Sequence, residues 1–354
     1  MELYYVGLDY HLHTSTIVML DSNGKQVAQQ TIRGHWSKMA QWLKEQGKPM
    51  AICFEASAGY GALHDQLVPF AQRVVVAHPG RLRLIYQSKR KNDRIDAQKL
   101  AKLLFLGEAP AVHVPGIDTR AWREMIRFRS AQVEARTRVK NHLRSLLRSY
   151  GIAVPREHRN LWTAKGLAWL KELEWPTPTA AFRCELLLDQ LSQLEAAVKK
   201  ATAQLDKIAA KHAGVKLLKT ISGVGPRTAE AFVAHVDDPH RFARINRIGS
   251  YFGLVPGQDS SAGVNRLGHI TKNGPAVARK LLTEAAWQSV RKSPQMKAFF
   301  ERITAGKKER RRIAVIAVAH KLARIMLAML RTGETWDPQR HPVEDKDAAL
   351  QAAA

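Results

Sequence analysis

Cysteine is nearly absent: Cys53 and Cys184 are the only two in a chain of 354 residues. That argues against a disulfide scaffold and a cysteine-based zinc site, and it suits a reducing cytoplasm. Long uninterrupted apolar runs are also missing. The longest apolar stretch, residues 313–330, is broken by His320, Lys321 and Arg324, which predicts a buried amphipathic helix and no membrane span. The N-terminus, Met-Glu-Leu-Tyr-Tyr, lacks a basic segment followed by an apolar one, so no signal peptide is expected. No repeat of fixed period is evident. Acids are few as well: 31 Asp and Glu face 56 Lys and Arg, a net charge of +25. A surplus of that size predicts a polyanionic partner, most simply nucleic acid, because neutralising phosphates releases their counterions.

What is present reads as an α/β region followed by helices. Leu3–Asp9, Ser15–Leu20 and Gln26–Ile32 alternate as strands around an Asn23-Gly24 turn and predict an antiparallel meander. Met50–Glu55 and Arg73–Ala77 are continuous apolar runs of the buried-strand kind, with helices predicted at Met39–Glu45 and Tyr60–Phe70. The expected division is an α/β catalytic domain at 1–110, a basic helical or coiled-coil region at 111–212, a mainly helical domain at 213–335, and a disordered tail at 336–354.

Within 118–150, nine Lys and Arg face three acids. A solvated helix usually mixes its charges, so Arg123, Arg127, Lys140 and Arg144 are expected to track phosphates. Ala180–Ala210 carries leucines at helical spacing and predicts a helical hairpin or a dimerising coiled coil. Trp162, Trp169 and Trp175 lie in the connecting module between them; they either stack on bases or pack in a core. Ile221-Ser-Gly-Val-Gly-Pro-Arg-Thr-Ala229 opens a helix after a Gly-x-Gly turn. It lacks the Gly-Lys-[Ser/Thr] end of a P-loop and the framing of a dinucleotide fingerprint. Either Gly223 and Gly225 turn amides toward a phosphate, or the segment is a helix–helix turn and no more. Residues 253–274 read as a loop-rich stretch holding Ser260 and Ser261, and helices follow at about 276–303 and 308–331.

The chemistry is expected from four acids. Ser88–Phe105 reads as one helix with Asp93 and Asp96 on the same face, one turn apart. Lys89, Arg90, Lys91 and Arg94 could offset that pair, and so could a hard divalent cation. Taken alone, the two acids look like an ordinary helix-start feature. Asp9 and Glu55, however, close two core strands. If those strands are adjacent, all four acids converge at one sheet edge, where two divalent ions would satisfy them and clamp the oxygens of a phosphodiester. His11-x-His13 lacks further ligands at metal-site spacing and reads as loop or surface histidine.

The order of these acids, the Lys91-Asn-Asp-Arg-Ile-Asp-Ala97 motif, and the block from Gly253-Leu-Val-Pro256 through Arg266-Leu-Gly-His-Ile-Thr-Lys-Asn-Gly274 resemble the transposases of the insertion sequence 110 family. The resemblance runs from residue 3 to about 335. It implies a ribonuclease H-like (RuvC-like) domain in which Asp9, Glu55, Asp93 and Asp96 hold Mg²⁺, two ions per site. It also implies a serine nucleophile that forms a covalent 5′-phosphoserine link to DNA, guidance by a bridge RNA, and a homodimer or homotetramer whose neighbouring protomer completes the pocket. Counting from Gly253-Leu-Val-Pro256 selects Ser261, and counting back from Thr271-Lys-Asn-Gly274 selects Ser260. The family commonly has Gly directly after its serine, whereas Ala262 intervenes here before Gly263. Arg266 and Lys272 could hold the phosphate. The expected setting is the bacterial cytoplasm, at the nucleoid. The rival readings are a metal-dependent junction nuclease that hydrolyses DNA with water, and a non-enzymatic nucleic-acid scaffold.

Overall fold

The structure is a computed structural model and describes residues 2–85, 92–261 and 264–337. It divides into two compact units, 1–120 and 121–354. The second unit thus holds both the basic helical region and the C-terminal region. The expected tail lies outside the described residues from 338 onward.

In the first unit, β1 (Tyr4–Tyr10), β2 (Thr14–Leu20) and β3 (Gln26–Arg33) form the expected meander, with α1 (Trp36–Glu45) after it. Next come β4 (Met50–Glu55), α2 (Tyr60–Leu67), β5 (Arg73–Ala77), α3 (Pro79–Ile85) and α4 (Asp93–Phe105). The sheet order is β3-β2-β1-β4-β5, with β2 antiparallel to both neighbours and β4 parallel to β1 and β5. Alternation along each strand separates two faces. Val6, Leu8, Ile52 and Phe54 point to one side and pack with Met39 and Leu43 of α1 and with Leu63 and Leu67 of α2. Ala51 and Cys53 point to the other side, against Leu100 and Leu104 of α4. Burial pushes the Cys53 thiol up to about 12, so it remains a neutral packing group.

Gly7 sets the distance between α4 and β1. A Cβ there would overlap the carbonyl oxygen of Ala97 and the amide of Ala101, so only glycine lets the helix backbone lie directly on the strand. Helix α4 begins at Asp93, capped by Asn92, whose side-chain oxygen accepts the amide of Arg94 at 3.0 Å. The first residues of the longer helix expected from Ser88, including Lys89, Arg90 and Lys91, lie outside the described residues.

In the second unit, α5 (Ile117–Ser149), most of which lies here, and α7 (Pro178–Lys211) are joined through α6 (Ala164–Glu172). They pack antiparallel as a helical hairpin within one chain. Val139, Leu143 and Leu146 meet Cys184 and Leu191, Lys140 pairs with Glu195 at 3.2 Å, and Arg129 donates to the Thr202 hydroxyl at 2.7 Å. Leu186 and Tyr150 are exposed. The tryptophans of the connecting module pack with Leu147, Leu161 and Leu170.

A larger core joins the ends of that hairpin to α8 (Ala213–Leu218), α9 (Pro226–Val236), α10 (Arg247–Tyr251), α11 (Ala276–Lys292), α12 (Pro294–Thr304) and α13 (Arg311–Thr332). Two expectations are corrected here. The stretch read as one helix over 276–303 is two, because the Ser293 hydroxyl caps α12 and Pro294 occupies its first turn. The loop-rich stretch is instead an antiparallel hairpin of β6 (Pro256–Ser261) and β7 (Val264–Ile270). By length and composition the segment 308–332 is long and apolar enough to cross a membrane. Its Val318, Leu322 and Met326 are fully buried in this core, as expected from the charges that interrupt it.

Candidate active site

The acidic edge of the first unit follows from the register. Leu8 pairs with Phe54 in the parallel β1–β4 ladder, so the next residues, Asp9 and Glu55, end the two strands side by side. Both lie on the α4 side, because Gly7 and Cys53, two residues earlier, face that helix. Helix α4 starts over this edge and brings Asp93 and Asp96 in its first turn.

A carboxylate oxygen of Asp9, one of Asp93 and a ring nitrogen of His11 all lie within 4.8 Å of one another. Burial raises the Asp9 carboxyl above its ordinary value. The charges of Asp93, Asp96 and Glu55 raise it further, while His11 opposes them. Asp96 and Glu55 do not join that group of three ligand atoms, and reach Asp9 through their charge. A hard-oxygen donor set with a single imidazole suits a divalent cation such as Mg²⁺ or Mn²⁺.

Two neighbours escaped the sequence reading. His11 is an exposed loop residue, as expected, and its Nε2 also lies 3.6 Å from Asp9 and 4.0 Å from Asp93, which brings it to the cluster. His13 does not join it. The available signal was position: His11 follows Asp9 by two residues at a strand end, the spacing that repeats a face. Lys99 pairs with Asp96 at 3.4 Å, one helical turn onward, while Arg94 is exposed.

The basic candidates divide. Arg123, expected on a phosphate, instead donates to the carbonyls of Ala234 (2.7 Å) and His235 (3.1 Å), closing the C-terminal end of α9. Lys140 is held by Glu195 and sits 4.9 Å over the Trp162 ring. Arg127 is exposed, 4.0 Å from Glu124. The Arg144 guanidinium lies 5.1 Å from the centre of the same Trp162 ring.

Gly223 has φ +98°, and a Cβ there would overlap Ser289, so it is required for helix packing. Gly225 precedes Pro226 at the start of α9, with no side chain capping that end. Beside it, Arg227 pairs with Asp206 and, at 3.0 Å, with Glu230, which is 1% exposed. Arg266 and Lys272 are exposed. Ser260 and Ser261 end β6; their side chains lie outside the described ones.

An α/β unit that gathers carboxylates on one sheet edge, followed by a strongly basic helical unit, has the layout of an enzyme acting on nucleic acid. Residues 6–152 match the family DEDD Tnp IS110, described as Transposase, and residues 215–301 match the Transposase IS116/IS110/IS902 family. A "Probable family 20 transposase" of Pseudomonas aeruginosa is 31% identical over 255 residues, covering 70% of this chain and 74% of that protein. The transposase for insertion sequence element IS1111A of Coxiella burnetii is 29% identical, covering 71% of this chain and 70% of its own length. The transposase for insertion sequence element IS1328 of Yersinia enterocolitica is 26% identical over 80% of this chain and 85% of its own length. The chain belongs to the IS110 family of transposases and is a DNA-acting enzyme.

Proposed function

We propose that this transposase cuts and exchanges DNA strands through a covalent serine intermediate, guided by a bridge RNA, with the acidic edge as its metal site. The observation that carries the reading is the meeting of Asp9 and Asp93 beside His11 at the edge where β1 and β4 end, with the charges of Asp96 and Glu55 acting on Asp9. The order β3-β2-β1-β4-β5, with Asp9 and Glu55 near the C-terminal ends of the adjacent β1 and β4, supports a ribonuclease H-like (RuvC-like) fold for this unit.

Asp9, Glu55, Asp93 and Asp96 would hold two Mg²⁺ ions, with His11 beside them. When bound, such ions stabilise charge developing on phosphodiester oxygens. The protein's own part is positional: Gly7 keeps α4 against β1, and Asn92 fixes the first turn that carries Asp93 and Asp96. Ser261, with Ser260 as the alternative, attacks a DNA phosphate. Its Oγ bonds to phosphorus and gives its proton to solvent, and the 3′ oxygen of the preceding nucleotide departs and takes up a proton as the free 3′ hydroxyl. Arg266 and Lys272, exposed on and just after β7, offer positive charge to that phosphate. The resemblance further implies that target choice rests on base pairing with the RNA, and that two or four chains assemble. A cytoplasmic, nucleoid-associated setting goes with that reading.

The test is strand cleavage of DNA carrying the element's ends, with Mg²⁺ and the co-purified RNA, resolved on a denaturing gel. A protein–DNA adduct is expected that disappears in the Ser260→Ala/Ser261→Ala double variant. If the double variant cuts normally, the serine mechanism fails and the junction-nuclease reading replaces it. Asp9→Ala is expected to abolish strand transfer while leaving RNA binding intact. The scaffold reading takes over if the unaltered chain never cuts.

A further inference from the structure

In the second unit, a cavity of about 780 Å³ opens between the C-terminal end of α5 and the segment 152–161. Arg144, Arg148, Arg156 and Arg159 rim it, and Leu147, Ile152 and Leu161 contribute to its floor. No acidic residue lines it. Among the described residues, none of the four guanidiniums is paired with a carboxylate, although Glu157 is next in sequence to Arg156. Four like charges around one concavity repel one another unless a polyanion enters between them.

The rim is built on fixed supports. Arg144 and Arg148 project from α5, with the Arg144 guanidinium 5.1 Å over the Trp162 ring. Arg156 opens a short 3-10 turn, Arg156–His158, with Arg159 directly after it. The ring of His158 stacks on Trp169 at 5.6 Å, tying that turn to the core.

The floor decides what kind of polyanion fits. A duplex presents phosphates and sugars on a convex surface, and it hides the flat faces of its bases. An unpaired nucleotide offers both a phosphate and an exposed apolar base face. A cavity with an apolar floor and a guanidinium rim matches the second description. Its volume is also within the range of about 300–1,000 Å³ usual for pockets holding small organic groups.

We propose that this cavity seats unpaired nucleotides of the nucleic-acid partner, with bases on the apolar floor and phosphates on Arg144, Arg148, Arg156 and Arg159. The proposal rests on the reading that the chain acts with nucleic acid, and it is independent of the metal site and the serine.

The experiment measures binding of the full chain to three fluorescent probes over a range of salt: unstructured RNA and DNA strands of about 20 nucleotides, and a duplex of equal length. Arg156→Glu/Arg159→Glu is expected to weaken binding to a single strand by about tenfold or more. The slope of log K against log salt should shrink by about 1.4, the contribution of two single-strand phosphates. Duplex binding should fall by less than about threefold. A larger loss with RNA or with DNA identifies the strand that enters.

An equal loss on the duplex, or no loss on either strand, overturns the proposal. Val154→Lys probes the apolar part of the lining. It should weaken single-strand binding although it adds a positive charge, and tighter binding would mean that charge alone operates there. Asp9→Ala should respond to the paired arginine changes as the unaltered chain does. Failure of the metal reading and failure of this one are therefore separable.

Discussion

Burial raises the carboxyl groups of Asp9 in the first unit and Glu230 in the second, and their surroundings are opposite in sign. Around Asp9 the charges of Asp93, Asp96 and Glu55 add to the upward shift, and His11 opposes it. Around Glu230, pushed up to about 7 by desolvation, the guanidiniums of Arg227 and Arg129 pull the other way, with Asp206 a smaller opposing influence. The exposures differ too: the Asp93 side chain is 53% exposed, and Glu230 is 1% exposed. An open cluster of like charges calls for a cation from outside. A closed acid with its own arginine already has its counter-charge inside the fold. Like shifts in two carboxyls can therefore mark a site waiting for a ligand or a finished piece of architecture, and the sign of the neighbours tells them apart.

The comparison breaks most completely if the acidic edge is pulled apart. Gly7→Val puts a branched side chain into the backbone of α4 at Ala97 and Ala101. A loss of more than about 4 kcal/mol is expected in denaturant unfolding, with no strand cleavage left. Unfolding near that of the native chain would mean that α4 does not need this close approach. The next effect is on chemistry alone. Asp9→Asn should lower cleavage by about a thousandfold, roughly 4 kcal/mol of transition-state stabilisation, at unchanged or higher thermal stability in metal-free buffer. A cleavage rate within a few-fold of the original would remove Asp9 from the site. On the other side of the comparison, Arg227→Gln takes away the internal counter-charge of Glu230. A destabilisation of about 3 kcal/mol is expected at pH 8 and less at pH 5, where a protonated Glu230 needs no partner. Equal destabilisation at both pH values would show that the role of Arg227 does not depend on the protonation of Glu230.

Much of the first unit was legible because its pattern is set by burial. Five strands with alternating or continuous apolar residues have few ways to pair, and two strands ending in acids place those acids at an edge. The role of Gly7 was not legible, since a glycine in a strand looks the same whether it faces solvent or a helix backbone. His11 is the loop residue its position predicts, but spacing alone does not show what the fold carries to the same point, here Asp93 from more than eighty residues away. Charge misled in the second unit. Arg123 sits in a basic run but answers the free carbonyls at the end of α9, and Lys140 answers Glu195. A helix half-buried along its length turns some bases inward, and composition cannot say which. The β6–β7 hairpin was missed for a local reason: its glycines, serines and asparagine carry weak strand propensity.

The finest test of the comparison uses pH. A carboxyl that ionises near 4.5 in the unfolded chain and near 7 in the folded one makes the unfolded state release its proton first. Stability from this group is therefore greatest below about 4.5, falls as pH rises toward 7, and is flat above. His235 contributes a slope of the opposite sign over an overlapping window. Burial holds its imidazole down at about 4, where it stays neutral while the unfolded side chain titrates near 6.5. The native chain alone cannot separate the two. Glu230→Gln can, because the amide does not titrate and every other group cancels in the difference. Any pH-independent cost of the substitution cancels as well. The variant should gain on the native chain by an amount of order 2 kcal/mol between pH 5 and pH 8, read from denaturant unfolding at each pH. A difference that stays constant with pH would mean that Glu230 is already ionised at pH 5, held by its arginines. The contrast with Asp9 would then be sharper still, one acid fully neutralised from within and the other left to a cation from solution.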